Sequence, residues 1–157
     1  MKVTSVKFAG IGGTGVVKAS DVFAELVFDL GLDVKKAEVH GMSQRGGSVA
    51  SEVRYGDKVQ SPMIPDKTAD FLVVFAEDQV PVNEISLKEG GILLTPKDIE
   101  IDKLPTEKAL NVAMLGKLST YLDFSLENWQ KALEKLFDPK FHAGNQVAFN
   151  VGRESRL

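Results

Sequence analysis

Residues 3–15, VTSVKFAGIGGTG, limit what this chain can fold into more than any other stretch. An alternating segment that turns apolar and runs into glycines reads as a strand ending in a tight turn. From Thr14 to Leu30 apolar residues recur at Val16, Ala19, Phe23, Leu26, Val27 and Leu30, the spacing of one helix face, and Gly31 supplies a stop. Strand, glycine turn and helix make the first half of a βαβ unit. Residues 33–40 follow a helix's length later as the second strand, and parallel pairing with the first through a right-handed crossover is the default for that connection.

The rest of the chain extends this α/β reading. Residues 48–55 alternate, with Val49, Val53 and Tyr55 on one side and Ser48, Ala50, Glu52 and Arg54 on the other, and Gly56-Asp57 reads as a hairpin turn into KVQSPMI. Pro62 and Pro65 make that second arm an edge strand. ADFLVVFAE at 69–77 is a continuous apolar run of strand length, the mark of a central strand buried on both faces, and GGILLTP at 90–96 predicts another strand after a short helix. Beyond Pro105 the period becomes helical. Thr106 is placed to cap a helix carrying Ala109, Val112, Leu115, Leu118 and Leu122, Ser125 a second carrying Leu126, Trp129, Leu133 and Leu136, and 141–153 predicts a last helix. The expectation is an α/β fold: an open, mostly parallel, Rossmann-like sheet with a β-hairpin edge, C-terminal helices, helices on both faces, and one domain over 1–157. The late apolar faces, Trp129 included, read as core.

Composition narrows the function. At 157 residues and 43% hydrophobic content the chain can build one sizeable core, and a net charge of -3 without any Lys/Arg-rich block argues against nucleic acid as a partner. No apolar stretch of membrane length and no leader-like segment is present in the sequence, so a cytoplasmic protein with no membrane partner is expected. The chain has no cysteine, which removes disulfides, thiolate nucleophiles and Cys-ligated iron–sulfur or zinc sites. Its two histidines, His40 and His142, have no ligand spacing, and no metal site is expected.

Two stretches carry chemistry. Gly10, Gly12 and Gly15, with Gly13 and Thr14 between them, satisfy G-x-G-x-x-G after a strand and before a helix. Glycines there let backbone approach a ligand while the helix N-terminus offers N–H groups and a partial positive charge to an anion; the alternative is close strand–helix packing alone. Glu38 falls where a nicotinamide site would want its ribose-binding acid. Residues 38–55, EVHGMSQRGGSVASEVRY, are foreign to a dinucleotide fold, which needs no His40-Gly-Met-Ser-Gln-Arg-Gly-Gly segment after its second strand.

GIGGTG, then EVHGMSQRGGSVASEVRYGD, SPMI, ADFLVVFAE and NVAMLGKL, in that order, resemble the gamma-type subunit of 2-oxoacid:ferredoxin oxidoreductases over nearly the whole chain, and the EVHGMSQRGGSV version is most similar to the small subunit of the indolepyruvate enzymes. The family turn commonly has Gln where this chain has Thr14. The resemblance implies a pyruvate/ketoisovalerate oxidoreductase gamma-type domain, inactive alone. Its partner would be a large subunit bearing thiamine diphosphate, magnesium and the iron–sulfur clusters, with coenzyme A as co-substrate and ferredoxin reached through the complex. No cofactor would be held tightly by this chain, in keeping with its lack of cysteine. Arg45 then reads as a planar fork for a carboxylate or phosphate, with Ser43 and Gln44 as neutral donors and Gly46 and Gly47 leaving room for ligand or partner; the plain alternative is a surface loop with an ordinary ion pair. His40 reads as an acid or base, or as a hydrogen-bonding residue at a strand end. Asn111, heading NVAMLGKL, reads as a ligand contact, or as a cap or loop anchor. Two further functions stay open on the residues: a free-standing Rossmann-type dinucleotide-binding protein using Glu38, and a scaffold without chemistry.

Overall fold

The computed structural model describes residues 2–40 and 47–156. Along the chain run β1 (Thr4–Ile11), α1 (Val16–Asp29), β2 (Asp33–His40), β3 (Ser48–Gly56), β4 (Ala69–Val74), a short α2 (Val80–Asn83) between 3-10 turns, β5 (Leu87–Leu94), α3 (Leu110–Ser119), α4 (Leu126–Leu136) and α5 (His142–Glu154). They form an open five-stranded sheet in the order β2-β3-β1-β4-β5.

Four strands point one way. β4 lies parallel to β1 and β5 parallel to β4, while β3 runs antiparallel to both β1 and β2. The predicted direct pairing of β1 with β2 is therefore corrected: they point the same way with β3 between them. The connection after His40 is too short for the crossover a parallel neighbour needs, so β3 returns antiparallel, and its apolar sequence takes it inside the sheet. The hairpin edge is β2–β3, not β3 with 58–64. That predicted edge strand is absent because Pro62 and Pro65 cannot support a ladder. Side chains hold the segment instead: Ile64 N–H donates to the buried Glu52 carboxylate at 2.8 Å, Val59 N–H to Asp33 at 2.8 Å, and the Arg54 guanidinium to the Ser61 carbonyl at 2.9 Å.

The sheet faces are unequal. α1, α3, α4 and α5 all pack on one face, around Val6, Phe8, Val53, Val73 and Leu94. The ring of Phe23 lies 5.5 Å from Tyr55 and 5.8 Å from Trp129, which in turn lies 5.6 Å from Phe149. The other face carries Ala9, Ala50, Leu72 and Val74, with Val80 and Leu87 packed on them, so the helices expected there reduce to α2 and its flanking turns. α3 and α5 approach to backbone contact: a Cβ on Gly152 would stand 1.8 Å from the Ala113 carbonyl oxygen, and one on Gly116 2.0 Å from that of Phe149. No helix among the described residues is long and apolar enough to cross a membrane.

Candidate functional site

Because β1, β2, β4 and β5 share a direction, their carboxyl ends open onto one edge of the sheet, where ligands bind in open α/β folds. The glycine turn sits there. Gly10 is still in β1, and a Cβ on it would come within 2.8 Å of Val16 and 3.3 Å of Phe75, so glycine here lets α1 and β4 close on the strand. Gly12 N–H donates to the Gly47 carbonyl at 2.9 Å, which ties the glycine turn to the start of β3. Thr14 closes the turn on itself, its N–H and hydroxyl both donating to the Ile11 carbonyl, at 3.1 and 2.6 Å. Gly13 and Gly15 adopt φ of +91° and +84°, a left-handed conformation natural to glycine.

Gly15 is the N-cap of α1. Among the described residues no side chain caps that end, its first turn holds no acidic residue to offset the partial positive charge of the helix, and Lys18 nearby adds to that charge. Such a terminus can receive an anion.

Asn111 lies against the glycine turn. Buried at the start of α3, its Nδ2 makes a long 3.4 Å bond to the Gly15 carbonyl, and its Oδ1 accepts from Val112 N–H at 2.9 Å. A Cβ on Gly15 would lie 2.5 Å from Asn111 Nδ2. Asn111 also lines a groove of about 730 Å³, together with Pro105, Ala109, Phe137 and Phe141 and the two lysines Lys108 and Lys140. Lys18 spans the gap between turn and groove, donating to the Leu136 carbonyl at 2.9 Å and lying 5.3 Å above the Phe137 ring. Sequence reasoning missed this groove. The basic and aromatic residues at the α4–α5 connection were visible, but nothing local to them said they would fold back beside α1.

His40 ends β2, exposed, in a row with Val49 and Gly10 across three strands. Residues paired across strands share a face, so the imidazole lies on the α1 side of the same edge, about 10 Å from Gly10 at the usual strand spacing. Its Nε2 is 3.7 Å from Glu38 Oε1. Glu38 is engaged elsewhere: its Oε2 accepts from Lys36 Nζ at 3.1 Å, and Lys36 also pairs with Asp21 of α1. The Lys36 hydrogen bond holds the Glu38 carboxyl below its ordinary value against the opposing effect of burial. Burial pulls the Lys36 ammonium down, but its bonds to Asp21 and Glu38 prevail and raise it. With β3 inserted, Glu38 stands two strands from β1, so the ribose-acid reading is set aside. Ser43, Gln44, Arg45 and Gly46 lie outside the described residues.

The glycine turn, tied through Gly12 to Gly47 at the start of β3, opens at the carboxyl edge of an α/β sheet whose inserted β3 separates it from dinucleotide-binding folds. Comparison with known proteins gives the family. Residues 5–109 match the model of pyruvate ferredoxin/flavodoxin oxidoreductases, and the chain belongs to that family. It is 33% identical over 161 residues to the indolepyruvate oxidoreductase subunit IorB of Pyrococcus horikoshii, a match covering 96% of this chain and 74% of the relative. The gamma subunit of a keto/oxoacid ferredoxin oxidoreductase from Geobacter sulfurreducens superposes with a TM-score of 0.78 at 25% identity, covering 96% of each chain. A 2-oxoglutarate:ferredoxin oxidoreductase from Magnetococcus marinus, solved with 2-oxoglutarate, coenzyme A and succinyl-CoA bound, shares the fold at a TM-score of 0.82 and 20% identity, over 98% of this chain and 31% of that one. The chain is thus homologous to the small subunits of 2-oxoacid:ferredoxin oxidoreductases.

Proposed function

We propose that residues 1–157 act as one gamma-type domain, the small subunit of a thiamine-dependent, indolepyruvate-like 2-oxoacid:ferredoxin oxidoreductase in the cytoplasm, completing its coenzyme A or substrate site at the junction with the large subunit. The overall conversion releases the carboxylate as carbon dioxide, joins the acyl group to the coenzyme A thiol and passes the electron pair to ferredoxin. Thiamine diphosphate, magnesium and the iron–sulfur clusters belong to the partner in this reading. A chain without cysteine has no thiolates for a cluster, and among the described residues no group of three or more His, Asp or Glu is gathered for a metal.

The observation that supports the reading is the Gly12–Gly47 bond, which ties the glycine turn ahead of α1 to Gly47, two positions beyond Arg45 in the sequence. In this proposal Gly13 and Gly15 present backbone N–H groups to a phosphate or carboxylate, Gly10, Gly12 and Thr14 hold the turn in shape, the N–H groups of Gly12 and Thr14 being engaged by Gly47 and Ile11, and the groove lined by Asn111 takes the rest of a long anion such as coenzyme A. Arg45 supplies the bidentate fork, Ser43 and Gln44 neutral donors, and Gly46 and Gly47 the clearance. His40, exposed on the same side, exchanges a proton with the reacting group.

The test is the assembled complex carrying Arg45→Ala or Arg45→Lys. A lost charge-assisted hydrogen bond costs about 1.5–3 kcal/mol, so Arg45→Ala is expected to lower kcat/KM about ten- to a hundredfold. Arg45→Lys keeps the charge, loses the fork and is expected to be clearly impaired. A raised KM for the 2-oxoacid or coenzyme A marks ligand contact, and weakened association marks an interface. Parent-like assembly and turnover in both variants overturns the role of Arg45. A complex that turns over normally without this chain overturns the subunit role itself.

A further inference from the structure

At the carboxyl edge of the sheet β1 and β4 lie side by side, and the chain leaves them on opposite faces. α1 joins the large helix-side core, while Val80, which opens α2, packs on Ala9, Ala50, Leu72 and Val74 of the other face. That divergence is the topological switch point of an open α/β sheet, where ligands enter. Gln79 stands on its β4 side. Its N–H donates to the Ala76 carbonyl at 2.9 Å, and its carbonyl accepts from Nδ2 of the buried Asn83 at 2.7 Å. From this doubly held backbone the side chain reaches across to β3, where its Oε1 accepts the Ser48 hydroxyl at 2.8 Å.

Ser48 is the first residue of β3 and is paired with Ile11, the last residue of β1. Because β3 and β4 flank β1, the Gln79–Ser48 bond spans the end of β1 just ahead of the glycines. Side chains two apart on a strand share a face, so Ser48 lies with Ala50 on the side away from α1. The residue before it is Gly47, whose carbonyl takes the Gly12 N–H at 2.9 Å. Two bonds therefore join three pieces of this edge: the turn after β4 to the start of β3, and the start of β3 to the glycine turn. α1 backs the turn on one face and Gln79 with Ser48 on the other.

We propose that Gln79 is a positioning residue for the glycine turn, acting through Ser48 and the Gly47 carbonyl to hold Gly12, and with it the N–H groups of Gly13 and Gly15, in the conformation that receives an anion. The inference rests on the anion-receiving role proposed above for that turn. It adds two residues from outside the glycine motif, with Ser48 as the intermediary and Gln79 as the anchor.

The test has two arms. In the full chain, nuclear magnetic resonance follows amide hydrogen exchange at Gly12 in the parent, Gln79→Ala, Ser48→Ala, the double variant and Ser48→Thr. Loss of one hydrogen bond is expected to speed Gly12 exchange about two- to tenfold in either alanine variant. The double variant is expected to exchange no faster than the singles, because both delete the same bond. Ser48→Thr keeps a hydroxyl and is expected to retain the parent protection, and the Val59 amide, held by Asp33 at the opposite end of the sheet, is expected to be unchanged throughout. In the assembled complex, Gln79→Ala and Ser48→Ala are expected to raise KM for coenzyme A or indole-3-pyruvate about two- to tenfold with kcat within about twofold, and Ser48→Thr to restore the parent value. Unchanged Gly12 exchange in both alanine variants overturns the positioning role of Gln79, whatever the kinetics. Faster Gly12 exchange with KM unchanged for both compounds overturns the anion-receiving role of the turn, and the inference with it.

Discussion

Gly15→Ala tests the site at its tightest point. Two costs combine there. At φ +84° an alanine pays the left-handed penalty of an L-residue, roughly 1–2 kcal/mol. Its Cβ would also stand 2.5 Å from Asn111 Nδ2 and 2.9 Å from its Cγ, and because Asn111 is buried the overlap is relieved by shifting packed structure, at about 1–3 kcal/mol. The sum is about 2–5 kcal/mol, against about 5–15 kcal/mol for a typical domain. At about 2–4 °C per kcal/mol for a chain of this size, Tm should fall by about 4–20 °C. In an Asn111→Ala background the two closest contacts go and only the Asn111 Cβ at 3.1 Å stays, so most of the overlap is relieved and the backbone penalty dominates. Urea unfolding of the parent, both single variants and the double variant should therefore give a coupling of about 1–3 kcal/mol in favour of the double. Additivity within about 0.5 kcal/mol, the behaviour of independent sites, would refute the claim that Asn111 sits on the glycine turn.

Other predictions rest on separate observations. Gly152→Ala, whose Cβ meets a backbone oxygen at 1.8 Å, should cost about 3 kcal/mol or more by thermal unfolding, whereas Gly144→Ala on the same helix, with open space around it, should be neutral or stabilise by up to about 1 kcal/mol; equal effects would refute the close α3–α5 crossing. Glu38 has its folded pKa depressed below the reference 4.5, so its contribution is present above that value and lost as pH falls through the folded one. Glu38→Gln should therefore lower the urea midpoint at neutral pH and flatten its decline in acid, and parallel pH profiles for parent and variant would contradict the Lys36 pairing.

Much of the backbone was legible because its signals are local. The 33–40 strand, the helix after the glycines and the Ser125 cap, whose hydroxyl accepts Asn128 N–H at 3.1 Å, each follow from neighbours within a turn or two. The expected sides of β3 hold, with Val49, Val53 and Tyr55 in the helix-side core and Ala50 on the other face, but tertiary structure decided how much of the strand is buried. Ser51 and Glu52 are buried along with Val53, since the strand lies between two others with both faces covered. Thr106 heads only a 3-10 turn and caps it with no side-chain bond, the helix proper beginning at Leu110.

The residues alone determined the strand–glycine turn–helix unit, the apolar run of β4, the helical C-terminal part and, through motif order, the family. These depend on periodicity and on backbone conformations that glycine and proline set locally. Periodicity records that a segment is buried but not what buries it. The tertiary structure alone decided that β3 enters between β1 and β2, that the long helices share one face, and that Asn111 reaches Gly15 across 96 positions of sequence. Strand order follows from connection lengths and competition among apolar strands for interior places. A contact between distant side chains exists only once both helices have docked on the sheet.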